Sequence, residues 1–227
     1  MKLFAVLALL IAQPVFANPG DSLVRVNSTI QTYNAAQPWE KNPPLTRRGL
    51  GALLSGNRIL TTAAMAADSI YIELQSADST LTVPARVTAI DYDANLALLT
   101  PDAAPGFLST LTPVEFSAPI KAGDSLSFFQ LEDNGESLET QGTIRSMELL
   151  STFVSSRYFL GYVAKASMQT SGNSFTLPAF HNGKLAGVLT SYDAKDQLCD
   201  VISIDIVSAF LEDAQDGSYE GFPSLGI

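Results

Sequence analysis

Acid–base and nucleophilic chemistry has few residues to draw on in this chain. Among its 227 residues there is one His, His181, and one Cys, Cys199. Any imidazole-dependent step must pass through His181, and a zinc site, which takes three or four ligands mostly from His and Cys, cannot be assembled. Carboxylates alone suit harder ions, and the reading calls for no metal and no other cofactor. Asp91 and Asp93 are close enough in sequence to suggest a carboxylate pair, yet without a neighbouring acid or base they read as turn residues. Lys165 and Lys184 could serve as the base of a Ser–Lys pair only if desolvated, and nothing around them argues for burial. His181 stands beside Asn182-Gly183, a turn signal, which points to a structural or solvent-exposed imidazole. Cys199 reads as a half-buried thiol in a strand, with no second Cys to pair with.

Composition narrows the partners. The 13 basic residues against 23 acidic ones give a net charge of -10 and a pI near 4.4, the wrong sign for nucleic acid or an acidic membrane surface. With 46% apolar and 16% charged residues, the chain has the means for a sizeable packed core. Its first residues read as an address. Met1-Lys2 is a positive start, Leu3 to Ile11 an apolar run, and Val15-Phe16-Ala17 supplies small residues at a cleavage point. Residues 1–17 are therefore expected to be a signal peptide cut after Ala17, delivering a periplasmic or secreted protein. The run is too short for an ordinary span, and no other stretch approaches about 20 apolar residues.

The remaining sequence reads as a succession of short strands. Ile70, Ile72 and Leu74 alternate with polar neighbours, as do Val83, Ala85, Val87 and Ala89. Leu185 to Leu189 repeats the apolar theme after the Asn182-Gly183 turn. Helical spacing is confined to Ile206, Val207, Phe210 and Leu211, with Gly217 as terminator, predicting a helix over 204–215. Many strands and one terminal helix suggest barrels or sandwiches, and Pro101 to Pro113 is the best connection between two β halves. Trp39, in Gln37-Pro38-Trp39, reads as a core or loop packing residue, with a partner-contact anchor as the alternative.

Taken in order, these segments resemble the HtrA/Deg family of trypsin-like serine proteases. The Gly49-Leu50-Gly51-Ala52-Leu53-Leu54 strand, Arg58-Ile59-Leu60-Thr61-Thr62-Ala63-Ala64-Met65, Asp91-Tyr92-Asp93-Ala94-Asn95 before Leu96-Ala97-Leu98-Leu99, and Gln169-Thr170-Ser171-Gly172-Asn173-Ser174 before Asn182-Gly183 stand in the family's order and at its spacing. The resemblance implies an all-β fold of two perpendicular six-stranded antiparallel barrels with a C-terminal helix. It places the N-terminal barrel at 18–113, the C-terminal barrel and terminal helix at 114–216, and at 217–227 a tail like the linker that leads to a PDZ domain in Deg relatives, with no such module in these residues.

The resemblance also assigns the site, and there the chain departs from the family. Met65 occupies the position of the catalytic His and Asn95 that of the catalytic Asp. Ser174 stands as a vestigial nucleophile, and Gly172 belongs to the turn whose backbone would line the oxyanion hole. A thioether takes no proton at neutral pH, an amide cannot stabilise an imidazolium, and an unactivated hydroxyl is a weak nucleophile. Met65 reads as a packing residue that fills the space of an imidazole. Phe175 and Thr176, where the family has small residues, are expected to crowd the cleft or alter the turn. Two readings follow: an exported pseudoprotease that binds a polypeptide or a protein partner, or a hydrolase using Ser174 with a non-standard base. An assembly role beside an active paralogue is a third, and a homo-oligomer is compatible with each.

Overall fold

Residues 18–102, 105–132, 134–151, 157–169, 176–215, 217 and 219–223 are described by a computed structural model. After a 3-10 turn at Pro19–Ser22 come β1 (Leu23–Ile30), β2 (Tyr33–Asn34), β3 (Gln37–Lys41), β4 (Leu45–Leu54), β5 (Arg58–Thr61), the one-turn helix α1 (Ala63–Ala66), β6 (Ser69–Gln75), β7 (Thr82–Asp91) and β8 (Leu96–Pro101). A second run follows: the short α2 (Pro105–Leu108), β9 (Ser125–Leu131), β10 (Ser137–Ser151), β11 (Tyr158–Ala166), β12 (Leu177–His181), β13 (Lys184–Asp193), β14 (Leu198–Ser203) and α3 (Ile204–Asp213). The strands close into two antiparallel six-stranded barrels, ordered β1-β4-β5-β8-β7-β6 and β10-β11-β14-β13-β12-β9. The expected all-β fold of two barrels and a terminal helix is the observed one. Among the described residues β2 and β3 pair with each other, as a two-stranded arm outside the barrels.

Burial on both faces explains why some strands read as unbroken apolar runs. Along β8, Ala97 and Leu99 point into the first barrel's core with Val24, Val26, Leu53 and Ile59. Leu96 and Leu98 point the other way, into a cluster shared with Phe128, Tyr162 and Phe180 of the second barrel. Side chains alternate across a strand, so one four-residue run feeds two cores and the barrels are joined by apolar contact. Gly51 marks a close crossing in the same region: a Cβ there would lie 2.5 Å from the Ile59 side chain and 2.9 Å from the Leu60 carbonyl. Within the second barrel, Phe129 and Phe180 meet edge to face at 5.5 Å.

Local signals explain most of the rest. Asn182 (φ 50°) and Gly183 (φ 77°) are both left-handed, as a tight two-residue hairpin requires, and join His181 to Lys184 across the turn. In α3, Ile204, Val207, Phe210 and Leu211 form the buried face, packed on β13 and β14. The alternation read in β7 is broken: its pairing with β8 shifts between Val87 and Ala89, a bulge that rotates the strand, and Val87 is exposed. Trp39 departs further from the expectation of core or loop packing, lying 82% exposed on the arm. Among the described residues no helix is long and apolar enough to cross a membrane.

Candidate functional site

Between β5 and β6 the chain makes the single turn of α1, and everything around that turn fixes it in place. Thr62 precedes it with extended backbone and makes no side-chain cap, because its hydroxyl is committed to the Thr176 hydroxyl of the other barrel at 3.0 Å. The capping task falls to Asn95, whose Oδ1 accepts the Ala64 N–H at 2.9 Å, satisfying one of the orphan donors at a helix start. Arg47 donates to the Ala64 carbonyl at 2.6 Å. Met65 is 1% exposed and belongs to the first barrel's core, with Val24, Ile59, Leu74 and Leu99. Met65 and Asn95 are thus brought to one turn, one buried among hydrocarbons and the other bonded to backbone.

Asn95 follows a turn with left-handed backbone at its own position (φ 55°), a conformation that Asn tolerates. Buried Asp91 organises this turn: one carboxylate oxygen accepts the Ala94 N–H at 2.7 Å, and the other accepts the Tyr219 hydroxyl. Burial, followed by that hydrogen bond and the nearby Asp91, Asp213 and Asp93 charges, pushes the Tyr219 phenol well above its usual range. Asp93 forms an ion pair with Arg157 at 3.0 Å. The two carboxylates are turn residues, each with a partner on the C-terminal half.

Ser174, Gly172 and Phe175 lie outside the described residues; the ends of their loop do not. Before it, the Gln169 carbonyl accepts from Gln130 Nε2 at 3.0 Å and the Met168 N–H donates to the Tyr192 hydroxyl at 3.1 Å. Met168 also packs its sulfur 3.7 Å from that of Cys199. Burial, with a smaller contribution from the Asp200 charge, pushes the Cys199 thiol up to about 12; it is fully buried, deeper than the half-buried thiol expected. After the loop, the Thr176 carbonyl accepts the Leu50 N–H at 3.0 Å. Thr176 is itself buried, its side chain a tie between the barrels.

The other candidate bases are elsewhere. His181 ends β12, about 16 Å along the strand from Thr176 at the usual rise. Its Nδ1 lies 2.7 Å from the Ser125 carbonyl and its Nε2 2.9 Å from the Asn182 amide nitrogen, so both ring nitrogens are engaged there. Lys184 pairs with Glu115 at 2.9 Å on the surface, and Lys165 is exposed. Among the described residues no group of three or more His, Cys, Asp or Glu could hold a metal ion. Sequence reasoning missed Thr62, Arg47, Gln130 and Tyr219. Their bonds to Thr176, Ala64, Gln169 and Asp91 join distant segments and leave no local pattern to read.

No family model matches the chain, but individual proteins do. It is 29% identical over 215 residues to Protease Do-like 4, mitochondrial, of Arabidopsis thaliana, covering 91% of this chain and 40% of that protein. It is 25% identical over 208 residues to a serine protease DegP homolog of Plasmodium falciparum, covering 90% of this chain and 24% of that one. The chain spans less than half the length of these relatives. In three dimensions it resembles a protease of M. tuberculosis in its active form, with a TM-score of 0.66 and 20% identity over 98% of this chain and 97% of that one. An HtrA-type protease with a bound decapeptide gives a TM-score of 0.66 and 15% identity, over 86% and 64% of the two chains.

Proposed function

The chain is HtrA/Deg-like, and we propose that it is an exported pseudoprotease: a trypsin-like scaffold that binds a polypeptide or protein partner without cutting it. The observation that carries this reading is the burial of Met65 in the first barrel's core beside an Asn95 whose oxygen is bonded to the Ala64 N–H. A serine nucleophile needs a base within hydrogen-bond reach and a group that orients that base. Here the base position holds a thioether packed among aliphatic side chains, and the orienting position holds an amide that caps a helix turn. Loss of triad members leaves only about 10³ to 10⁴-fold catalysis over water, from binding and the oxyanion hole alone. A polypeptide is the favoured ligand class because an HtrA-type protease of the same fold holds a decapeptide. Export rests on the leader-like residues 1–17, and amino-terminal sequencing of the exported protein is expected to begin at Asn18.

Covalent reactivity tests the reading. The purified protein should not be labelled by a fluorophosphonate probe, and neither should Ser174→Ala. Labelling of the parent that disappears in Ser174→Ala would replace the pseudoprotease with a hydrolase using a non-standard base.

A further inference from the structure

Beyond α3 the chain turns back at Gly217 (φ 82°), and residues 219–223 run against both halves of the molecule. Tyr219 packs its ring edge to face on Phe210 of α3 at 5.2 Å and donates a hydrogen bond from its hydroxyl to Asp91 at the end of β7. Asp213, the last residue of α3, accepts the N–H groups of Glu220 at 3.1 Å and Gly221 at 2.8 Å, which fixes the return path. Phe222 then meets Phe159 of β11 at 4.9 Å, and its carbonyl accepts from Arg157 at 3.0 Å. That guanidinium also pairs with Asp93.

These contacts converge on one short segment. Tyr219 holds Asp91, Arg157 links Phe222 to Asp93, and both carboxylates belong to the turn that ends in Asn95. The second oxygen of Asp91 carries the Ala94 N–H, and the next residue, Asn95, carries the Ala64 N–H beside Met65. A continuous path of hydrogen bonds and adjacent residues therefore runs from the C-terminal segment to α1. We propose that residues 219–223 are a strap that positions the Asp91–Asn95 turn, so that detaching the strap loosens the Met65–Asn95 half of the site without unfolding either barrel. Among the described residues the strap lies outside the strands of both barrels and is held by the ring contacts of Tyr219 and Phe222 and by hydrogen bonds. Such segments open locally at lower free energy than the barrels they cover. The coupling is built from backbone and side chains of this chain alone and holds whether or not Ser174 reacts.

Residue-resolved amide hydrogen exchange on the full chain and on Tyr219→Phe, which keeps the ring and removes the hydroxyl, tests the strap. A hydrogen bond to a charged group contributes enough for its loss to raise exchange about tenfold at Ala94 and Ala64, with the Asn95 side-chain amide resonances shifting as well. Amides of the Asn182-Gly183 turn, at the far end of β12, should not change. Faster exchange confined to residues 210–223, with Ala94, Ala64 and the Asn95 amide as in the parent, would show a local cover with no positioning role and overturn the proposal. Phe222→Leu weakens the other end of the strap without touching Asp91, and the same amides decide the outcome if Tyr219→Phe fails to fold.

Discussion

On the first-barrel side of the seam, Met65 and Asn95 serve packing and backbone capping; on the second-barrel side, Gln130, Tyr192 and Thr176 grip both ends of the stretch that contains Ser174. A thioether and an amide take no proton at neutral pH, while the frame on the second side is tied by hydrogen bonds to Gln130, Tyr192 and Leu50. The difference separates two things a trypsin-like scaffold does. Anchoring the ends of a loop needs backbone hydrogen bonds, which Met168, Gln169 and Thr176 make. Moving a proton needs a titratable group placed at the seam, and Met65 and Asn95 are a thioether and an amide. Polar residues at the seam, such as the Thr62–Thr176 pair, hold the barrels together.

Met65→Ala gives the sharpest contrast. It removes a fully buried side chain from the first barrel's core and should cost about 2–5 kcal/mol of unfolding free energy, read by circular dichroism in urea. A loss under about 1 kcal/mol would mean that Met65 does not pack as the structure shows. On the other side, Thr176→Val leaves the buried Thr62 hydroxyl without its partner and should cost about 1–3 kcal/mol. The double variant Thr62→Val/Thr176→Val should cost less than the two single changes added together. Additive losses would show that the two hydroxyls do not work as a pair.

Alkaline pH separates the sides in another way. The folded state holds the Cys199 thiol up to about 12 and the Tyr219 phenol higher than its usual range, so folding retains protons that the unfolded chain releases. Stability should be intact below the ordinary thiol value and fall as pH rises beyond it, with Tyr219 adding a further decline above about pH 10. Cys199→Ala should remove the earlier part of that decline. An unchanged profile in Cys199→Ala would mean the thiol titrates alike folded and unfolded. Trp39→Ala, at the exposed arm, is the smallest effect expected, within about 0.5 kcal/mol. Acrylamide should quench the indole as freely in the folded protein as in the unfolded one.

Strand positions were legible because burial on one or both faces writes itself into alternation or into runs such as Leu96 to Leu99. The Asn182-Gly183 turn was legible because few residues accept its backbone. The one-turn helices α1 and α2 were not, since four residues are too few to show a helical period. Trp39 was misread because an apolar side chain records what could be buried, and on the β2–β3 arm it stands exposed. Met65 and Asn95 were singled out through the order of segments around them; the packing use of Met65 was read from its flexible thioether, but the capping of α1 by Asn95 was not visible. A methionine in a core and one facing a cleft look identical in sequence, and the Ala64, Arg47 and Tyr219 contacts come from segments whose approach depends on the closed barrels.

Fluorophosphonate labelling of the purified protein, beside Ser174→Ala, tests the central claim most directly. The account predicts no covalent adduct on the parent chain by intact mass, because in the proposed reading a thioether, Met65, and an amide, Asn95, stand where a base and its orienting carboxylate are needed. A stoichiometric adduct on the parent, absent from Ser174→Ala, would contradict it.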